Sequence, residues 1–454
     1  MARDVIKSEI CPKLLTGSFG NPSAGALLTS PSSSAYLSSP LEMDPETPFT
    51  LNISATQIAD LKHRLELTRF PDELDEAEWA YGAPLADIQR LVSYWQTDFD
   101  WNKQQAVLNE ELPQFTRNID VDDVGTLEVH YVHKKSELEE AIPMLFVHGW
   151  PGSFIEARKI LPLLTATHPD VPSFHVVAPS LPGYGSSEAP TKKGFSLDQF
   201  AETCHKLMLS LGYSEYVTQG GDWGGLITRR IAIKYGGKHS KAWHTNFPVC
   251  NAPQFTLNPF HLITSFSMIL DLLWLSDFEK QALQRALETE RIGTGYLRLQ
   301  STKPQTIGYA LADSPVGLLA WIYEKLVGWT DGYKWTDDEI LTWISIYWFS
   351  RAGPAASLRI YYEVNAQNEL VPSVHDVRPT IPMGLSYFPK EVASLPRSWL
   401  RRTGNVVFDS QHDKGGHFAA YEVPESLVGD LRKMFGKGGP AYGVVAGSTG
   451  FKLS

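Results

Sequence analysis

The segment from Tyr216 to Gly225, YVTQGGDWGG, limits what this chain can fold into more than any other stretch of its 454 residues. A short apolar run ends in Gly220 and Gly221, and a helical period through Leu226, Ile227 and Ile231 begins almost at once. A buried strand can turn that sharply into a helix only if the positions two before and two after the apex carry no bulk. Gly220 and Gly224 meet that condition around Asp222. Such an elbow projects its apex side chain over the edge of a sheet. Two readings of Asp222 stand at this point: a projected reactive carboxylate, or a cap on the following helix. A serine at the apex would suggest an esterase, but no G-x-S-x-G occurs in the sequence.

The surroundings of the elbow fit a parallel sheet. After Asp120, apolar runs at Met144 to Val147, Phe174 to Ala178, Tyr216 to Gln219 and Asn405 to Asp409 alternate with helical periods. One helix is announced by the capping-box pair Ser196 and Gln199, with Leu197, Phe200, Cys204, Leu207 and Leu211 on one face. Buried strands alternating with amphipathic helices indicate an α/β protein, a mostly parallel sheet flanked by helices. The alternation stops over residues 251–380, where helical patterns and six of the 13 tryptophans (Trp274, Trp321, Trp329, Trp335, Trp343 and Trp348) take over. This stretch reads as a helical lid inserted into a core made of residues 116–250 and 381–436. Residues 48–115 read as an N-terminal helical extension, opened by a capping box at Ser54 and Gln57 and continued by Ile88, Leu91 and Trp95. Residues 1–47 are rich in Ser and Pro and read as a mobile arm, and the Gly-rich residues 437–454 as a flexible tail.

Composition excludes partners more than it selects them. A net charge of −11 repels phosphate backbones and anionic lipid, so no nucleic-acid partner is expected. The longest apolar stretch, Ile263 to Leu275, is broken by Ser265, Ser267 and Asp271, too short and polar for a membrane span. The N-terminus lacks the apolar run of a signal peptide. Cys11, Cys204 and Cys250 are too few and too scattered for a disulfide framework or a metal site. A reducing, cytoplasmic location is the expectation.

Two more segments end apolar runs with chemistry-bearing residues. His148-Gly149-Trp150-Pro151-Gly152-Ser153 could place backbone N–H groups where an oxyanion forms, or be an ordinary turn. Gly415-Gly416-His417-Phe418 follows a strand and precedes a helix, and an isolated histidine there has a structural reading too. In a parallel sheet ligands bind at the carboxyl ends of the strands, so the three segments reinforce one another.

With HGWPGSF, PSLPGYG, QGGDWGG, STKPQTIGYAL, DSPVGLLAWI, FPKE and GGHFAAYE in this order over residues 48–436, the chain resembles the microsomal-type epoxide hydrolases, in particular fungal soluble and insect juvenile-hormone-type members. The resemblance implies an α/β-hydrolase fold and a cofactor-free, metal-free enzyme that turns an epoxide into a vicinal diol. Asp222 matches the family's nucleophile, His417 its water-activating base and Glu391 the acid that orients the histidine. Asp409 and Asp413 are nearby rivals for that acid. Tyr296 and Tyr361 match two lid tyrosines that polarise the epoxide oxygen, with Tyr362 adjacent to the second. Backbone N–H groups of Trp150 and Trp223 would form the oxyanion hole, and the Trp150–Pro151 bond is expected to be cis. The implied partner is a small, neutral, apolar epoxide, and the family includes homodimers. Three other activities share parts of this pattern: an epoxide-opening cyclase of a biosynthetic pathway, a haloalkane dehalogenase, and a non-catalytic ligand-binding member of the fold. The paired tyrosines and filled triad weigh against the last two.

Overall fold

The computed structural model describes residues 46–252 and 258–452, so Cys11 and the Ser/Pro-rich arm, save Glu46 and Thr47, lie outside the described residues. These residues build one sheet of nine strands: β1 (Thr47–Pro48), β2 (Gln114–Val121), β3 (Gly125–Lys134), β4 (Ile142–Val147), β5 (Phe174–Pro179), β6 (Tyr216–Gly220), β7 (Ser240–Thr245), β8 (Pro382–Tyr387) and β9 (Asn405–Gln411). Their spatial order is β1-β2-β3-β5-β4-β6-β7-β8-β9. Pairing is antiparallel from β1 to β5 and parallel from β5 through β9. Every residue of β4 and of β6 is buried, as strands covered by helices on both faces must be.

The four strands expected from apolar runs are present, and five more accompany them. β1 is only two residues long, and the other four lack a continuous run for physical reasons. β2 and β3 lie towards the antiparallel edge of the sheet, and β2 alternates buried with exposed residues. β7 (SKAWHT) and β8 (PMGLSY) bury polar groups that partner each other, as His244 Nε2 and Ser386 Oγ do at 3.0 Å.

Helices begin where the sequence caps them. Ser54 Oγ accepts the Gln57 N–H at 3.2 Å while Gln57 Oε1 accepts the Ser54 N–H at 3.1 Å. At Ser196 the return half is made, with Gln199 Oε1 accepting the Ser196 N–H at 2.9 Å. Helices from Pro259 to Ala366 form a layer over the strand ends between β7 and β8. The helices Ala55–Glu66 and Leu85–Thr97 lean on that layer, through Arg64 to Asp313 (3.0 Å) and Tyr94 to Asp338 (3.0 Å). Among the described residues no single helix is long and apolar enough to cross a membrane.

The flexible tail expected after Phe435 is instead packed. Ala441, Val445 and Phe451 are buried. The Gly450 N–H donates to Glu140 O (2.8 Å), and Gly450 O accepts the Ser173 N–H (2.9 Å). Gly450 holds φ +79°, and a Cβ there would press on Pro172. The glycines that suggest fraying serve close approach, while the apolar residues between them anchor the tail to the strands it crosses.

Candidate active site

The turn from β6 into the helix Asp222–Tyr235 is tight enough to strain its apex. Asp222 has φ +48°, a conformation that L-residues other than glycine seldom adopt. A Cβ on Gly220 would run into the Gly224 carbonyl, and one on Gly224 into that of Val147. The sequence can therefore turn here only with glycines at both places. The helix dipole favours negative charge at its first residue, where the Asp222 carboxylate sits.

The turn after β4 meets that carboxylate. The Trp150 N–H donates to Asp222 Oδ1 at 2.7 Å, and a Cβ on Gly149 would collide with the same carboxylate. The Trp150–Pro151 peptide is cis. Two lid side chains hold the turn, Trp343 Nε1 donating to Pro151 O (2.5 Å) and Tyr347 OH to Gly152 O (2.6 Å). His148 is buried and its pKa is pushed down to about 4 by burial, so it is a neutral framework group. Trp223, also buried, is the second residue of that helix, in the first turn, whose N–H groups have no intrahelical acceptor.

His417 joins the site from the loop after β9. Its Nδ1 lies 2.7 Å from Glu391 Oε1 and its Nε2 lies 3.4 Å from Asp222 Oδ2. Burial opposes its charge, but the Glu391 and Asp222 carboxylates prevail and hold its pKa well above the usual histidine value. Backbone bonds fix the loop: the Gly415 N–H donates to Asp331 Oδ2 (3.0 Å), the Gly416 N–H to Glu422 Oε1 (2.8 Å) and the His417 N–H to Trp329 O (2.8 Å). Burial raises the Glu422 carboxyl to about 7.

Of the rival acids, Asp409 is engaged elsewhere, with Arg397 (2.8 Å) and Arg401 (2.7 Å). Asp413 is exposed. Glu391 is the carboxylate that reaches His417.

The two tyrosines stand over Asp222 within an aromatic cluster. Trp150 stacks on Tyr296 (5.3 Å between ring centres, 12° between planes) and meets Tyr361 edge-on (5.8 Å, 89°). Tyr361 also meets Trp223 edge-on at 4.7 Å, and the two tyrosines lie 6.1 Å apart. Burial and the Asp222 charge raise both phenols, keeping them protonated hydrogen-bond donors at neutral pH. Tyr362 points outward and is 42% exposed, against 2% for Tyr361.

The structure adds Trp329 and Glu156, which sequence reasoning missed. Trp329 packs edge-on against His417 (4.9 Å, 75°) and contacts Tyr296. It was one of six lid tryptophans with no signal to separate it from the others, and Trp274 is 76% exposed. Glu156 lies four residues after the Gly152 turn, and its carboxyl would strike a Cβ placed on Gly152.

Comparisons with known proteins bear on the family. The family described as epoxide hydrolase N terminus matches residues 46–157, and the alpha/beta hydrolase fold family matches residues 142–288. Epoxide hydrolase 1 of Sus scrofa is 38% identical over 415 residues, spanning 86% of this chain and 88% of the relative. Juvenile hormone epoxide hydrolase 1 of Ctenocephalides felis is 32% identical over 400 residues, 85% of this chain and 84% of the relative. The solved epoxide hydrolase of Aspergillus niger matches with a TM-score of 0.73 at 35% identity, covering 86% of this chain and 95% of that one. A strained aspartate, a histidine between two carboxylates and two lid phenols thus occur in a sequence that is homologous to epoxide hydrolases along most of its length, and the chain belongs to the epoxide hydrolase family of α/β-hydrolases.

Proposed function

We propose that this enzyme opens a neutral, largely apolar epoxide through a covalent ester on Asp222 and releases a vicinal diol. The observation that carries this reading is Asp222 itself, strained at a helix N-terminus with one oxygen on the Trp150 N–H and the other towards His417. Oδ1, held by Trp150, remains the carbonyl oxygen, and Oδ2 attacks an epoxide carbon from behind. The Oδ2–carbon bond forms as the ring carbon–oxygen bond breaks. Tyr296 and Tyr361 donate to the leaving oxygen, which takes a proton from one of them.

Ester formation then changes the histidine. Asp222 loses its charge, so one of the two carboxylates that keep His417 protonated disappears, its pKa falls, and it gives up its proton, which restores the phenol that ring opening had deprotonated. His417 Nε2, with Glu391 fixing the ring through Nδ1, takes a proton from water as that water attacks Cγ of the ester. The Trp150 and Trp223 N–H groups receive the oxyanion. Collapse breaks the Cγ–Oδ2 bond, the departing alkoxide takes the proton from His417, and the regenerated acid's proton returns to His417, restoring the starting charges. The indoles and phenols around Asp222 offer apolar faces, which is why an apolar substrate fits.

A single turnover with enzyme in excess over a styrene-type epoxide, run in water labelled with heavy oxygen, tests the route. The first diol should leave with an unlabelled new oxygen while the peptide carrying Asp222 gains the label. Label in the diol on the first turnover would instead mean direct attack by water and would sink the ester.

A further inference from the structure

The turn that carries the Trp150 N–H has two glycines, and each faces a carboxyl group. Gly149 faces Asp222, and Gly152 faces Glu156. Between them lies a small cavity lined by Gly149, Gly152, Glu156, Asp222, Asn246 and His417, among others. About 10 Å³ of it is open to the centre of a water molecule, the space of one water. Glu156 keeps some accessible surface although it lies deep in the protein, as expected of a side chain that lines an internal cavity. The Asn246 amide is oriented from behind, its Oδ1 accepting from Gln219 Nε2 at 2.8 Å. A buried water needs roughly two to four polar partners, and Asp222, His417, Glu156 and Asn246 are four.

We propose that Glu156 is the positioning residue for the hydrolytic water, holding it, together with Asn246, in line with Cγ of the Asp222 ester and within reach of His417. The inference rests on the two-step route described above. Ring opening uses Asp222 and the tyrosines but consumes no water, so Glu156 acts in the second half-reaction. Its protonation state suits the task. Burial, helped by the nearby Asp222 charge and opposed by His417 and by backbone hydrogen bonds at Gly149 and Ser153, pushes its pKa up to about 8. A neutral carboxyl group can donate one hydrogen bond and accept others. An ionised one would add a second negative charge to that of Glu391 beside His417 once Asp222 is esterified, and keep that ring protonated when a base is needed.

The test separates the half-reactions in one preparation. An epoxide is mixed rapidly with wild type, Glu156→Gln and Glu156→Ala, the reaction is quenched in acid, and the ester adduct is followed by intact-protein mass. For Glu156→Gln, ester formation should stay within about twofold of wild type while ester breakdown slows roughly tenfold, the cost of a misaligned water. Glu156→Ala should slow breakdown further, roughly 100-fold, and the adduct should accumulate. Equal slowing of both steps, or unchanged breakdown in Glu156→Gln, overturns the assignment, since a merely structural role has no reason to select the second step. If neither wild type nor a His417→Gln control ever shows an adduct, the covalent route itself has failed.

Discussion

His412 and His417 stand five residues apart on the same loop after β9, and each is paired with a carboxylate. His417 Nδ1 meets Glu391 at 2.7 Å, leaving Nε2 to face Asp222 across a cavity. His412 Nε2 meets Asp430 at 2.6 Å, and its ring stacks on Phe388 (4.7 Å, 9°). Asp430 also accepts from Ser386 Oγ at 2.6 Å, and Ser386 contacts His244 Nε2. A serine, two histidines and an aspartate therefore lie together, with the membership of a catalytic triad, yet none of them lines the cavity at Asp222. Burial pushes His244 down to about 4, leaving it neutral. The difference teaches that a histidine–carboxylate pair becomes a base only when its second nitrogen faces a reacting group and space for water.

The largest break in this comparison comes from treating the two histidines alike. His417→Gln should still form the ester but leave it intact, lowering turnover roughly 10³- to 10⁴-fold. His412→Gln should keep turnover per folded molecule close to wild type and lower stability by about 1–3 kcal/mol, the cost of stripping a partner from buried Asp430. Steady-state rates and urea unfolding of the two variants decide the matter. Lost turnover in well-folded His412→Gln would mean that the second cluster takes part in the chemistry.

The tyrosines come next. Tyr296→Phe and Tyr361→Phe should each slow ester formation roughly 10- to 100-fold, because one phenol remains to donate. The double variant should lose far more than either alone. Tyr362→Phe should change little, since that ring faces outward. Stopped-flow rates of ester formation check all four, and a large loss in Tyr362→Phe would move the donor one residue along.

What the sequence made legible follows from how local each constraint is. The elbow was readable because Gly220, Asp222 and Gly224 satisfy a steric rule within five residues. The pairing of Glu391 with His417 spans 26 residues and the whole of β9. Composition and spacing left Asp409 as a rival there, and only resemblance favoured Glu391. Its two arginines explain why Asp409 fills a strand-end position without serving the site. Tyr361 and Tyr362 are neighbours whose fates depend on helix rotation, since the helix Arg359–Ala366 buries Ile360, Tyr361 and Val364. Glu156 gave no sequence signal, because a single glutamate in a short helical turn looks like any solvated one until Gly152 and the cavity are placed beside it. The Gly-rich tail misled for the opposite reason: composition reports the unfolded chain's freedom, not the contacts that Val445 and Phe451 make.

The subtlest distinction between the two pairs lies in the pH dependence of stability. His417 has a folded pKa raised above its ordinary 6.5, because Glu391 and Asp222 outweigh burial. Its contribution is fully present below about 6.5 and fades as pH rises through the raised folded value, where the folded form gives up the proton it had held. Asp430 behaves in the opposite sense. Burial alone would raise it, yet hydrogen bonds from His412 and Ser386 bring it below its ordinary 3.8. Its contribution is present above about 3.9 and fades as pH falls through the lowered folded value. Urea midpoints across pH for wild type, His417→Gln and Asp430→Asn should therefore diverge on opposite limbs. The gap between wild type and His417→Gln should narrow towards alkaline pH, and the gap to Asp430→Asn towards acid. A gap to His417→Gln that widens with rising pH would mean that the free enzyme's histidine is neutral, and the proposed release of its proton on ester formation would have nothing to act on.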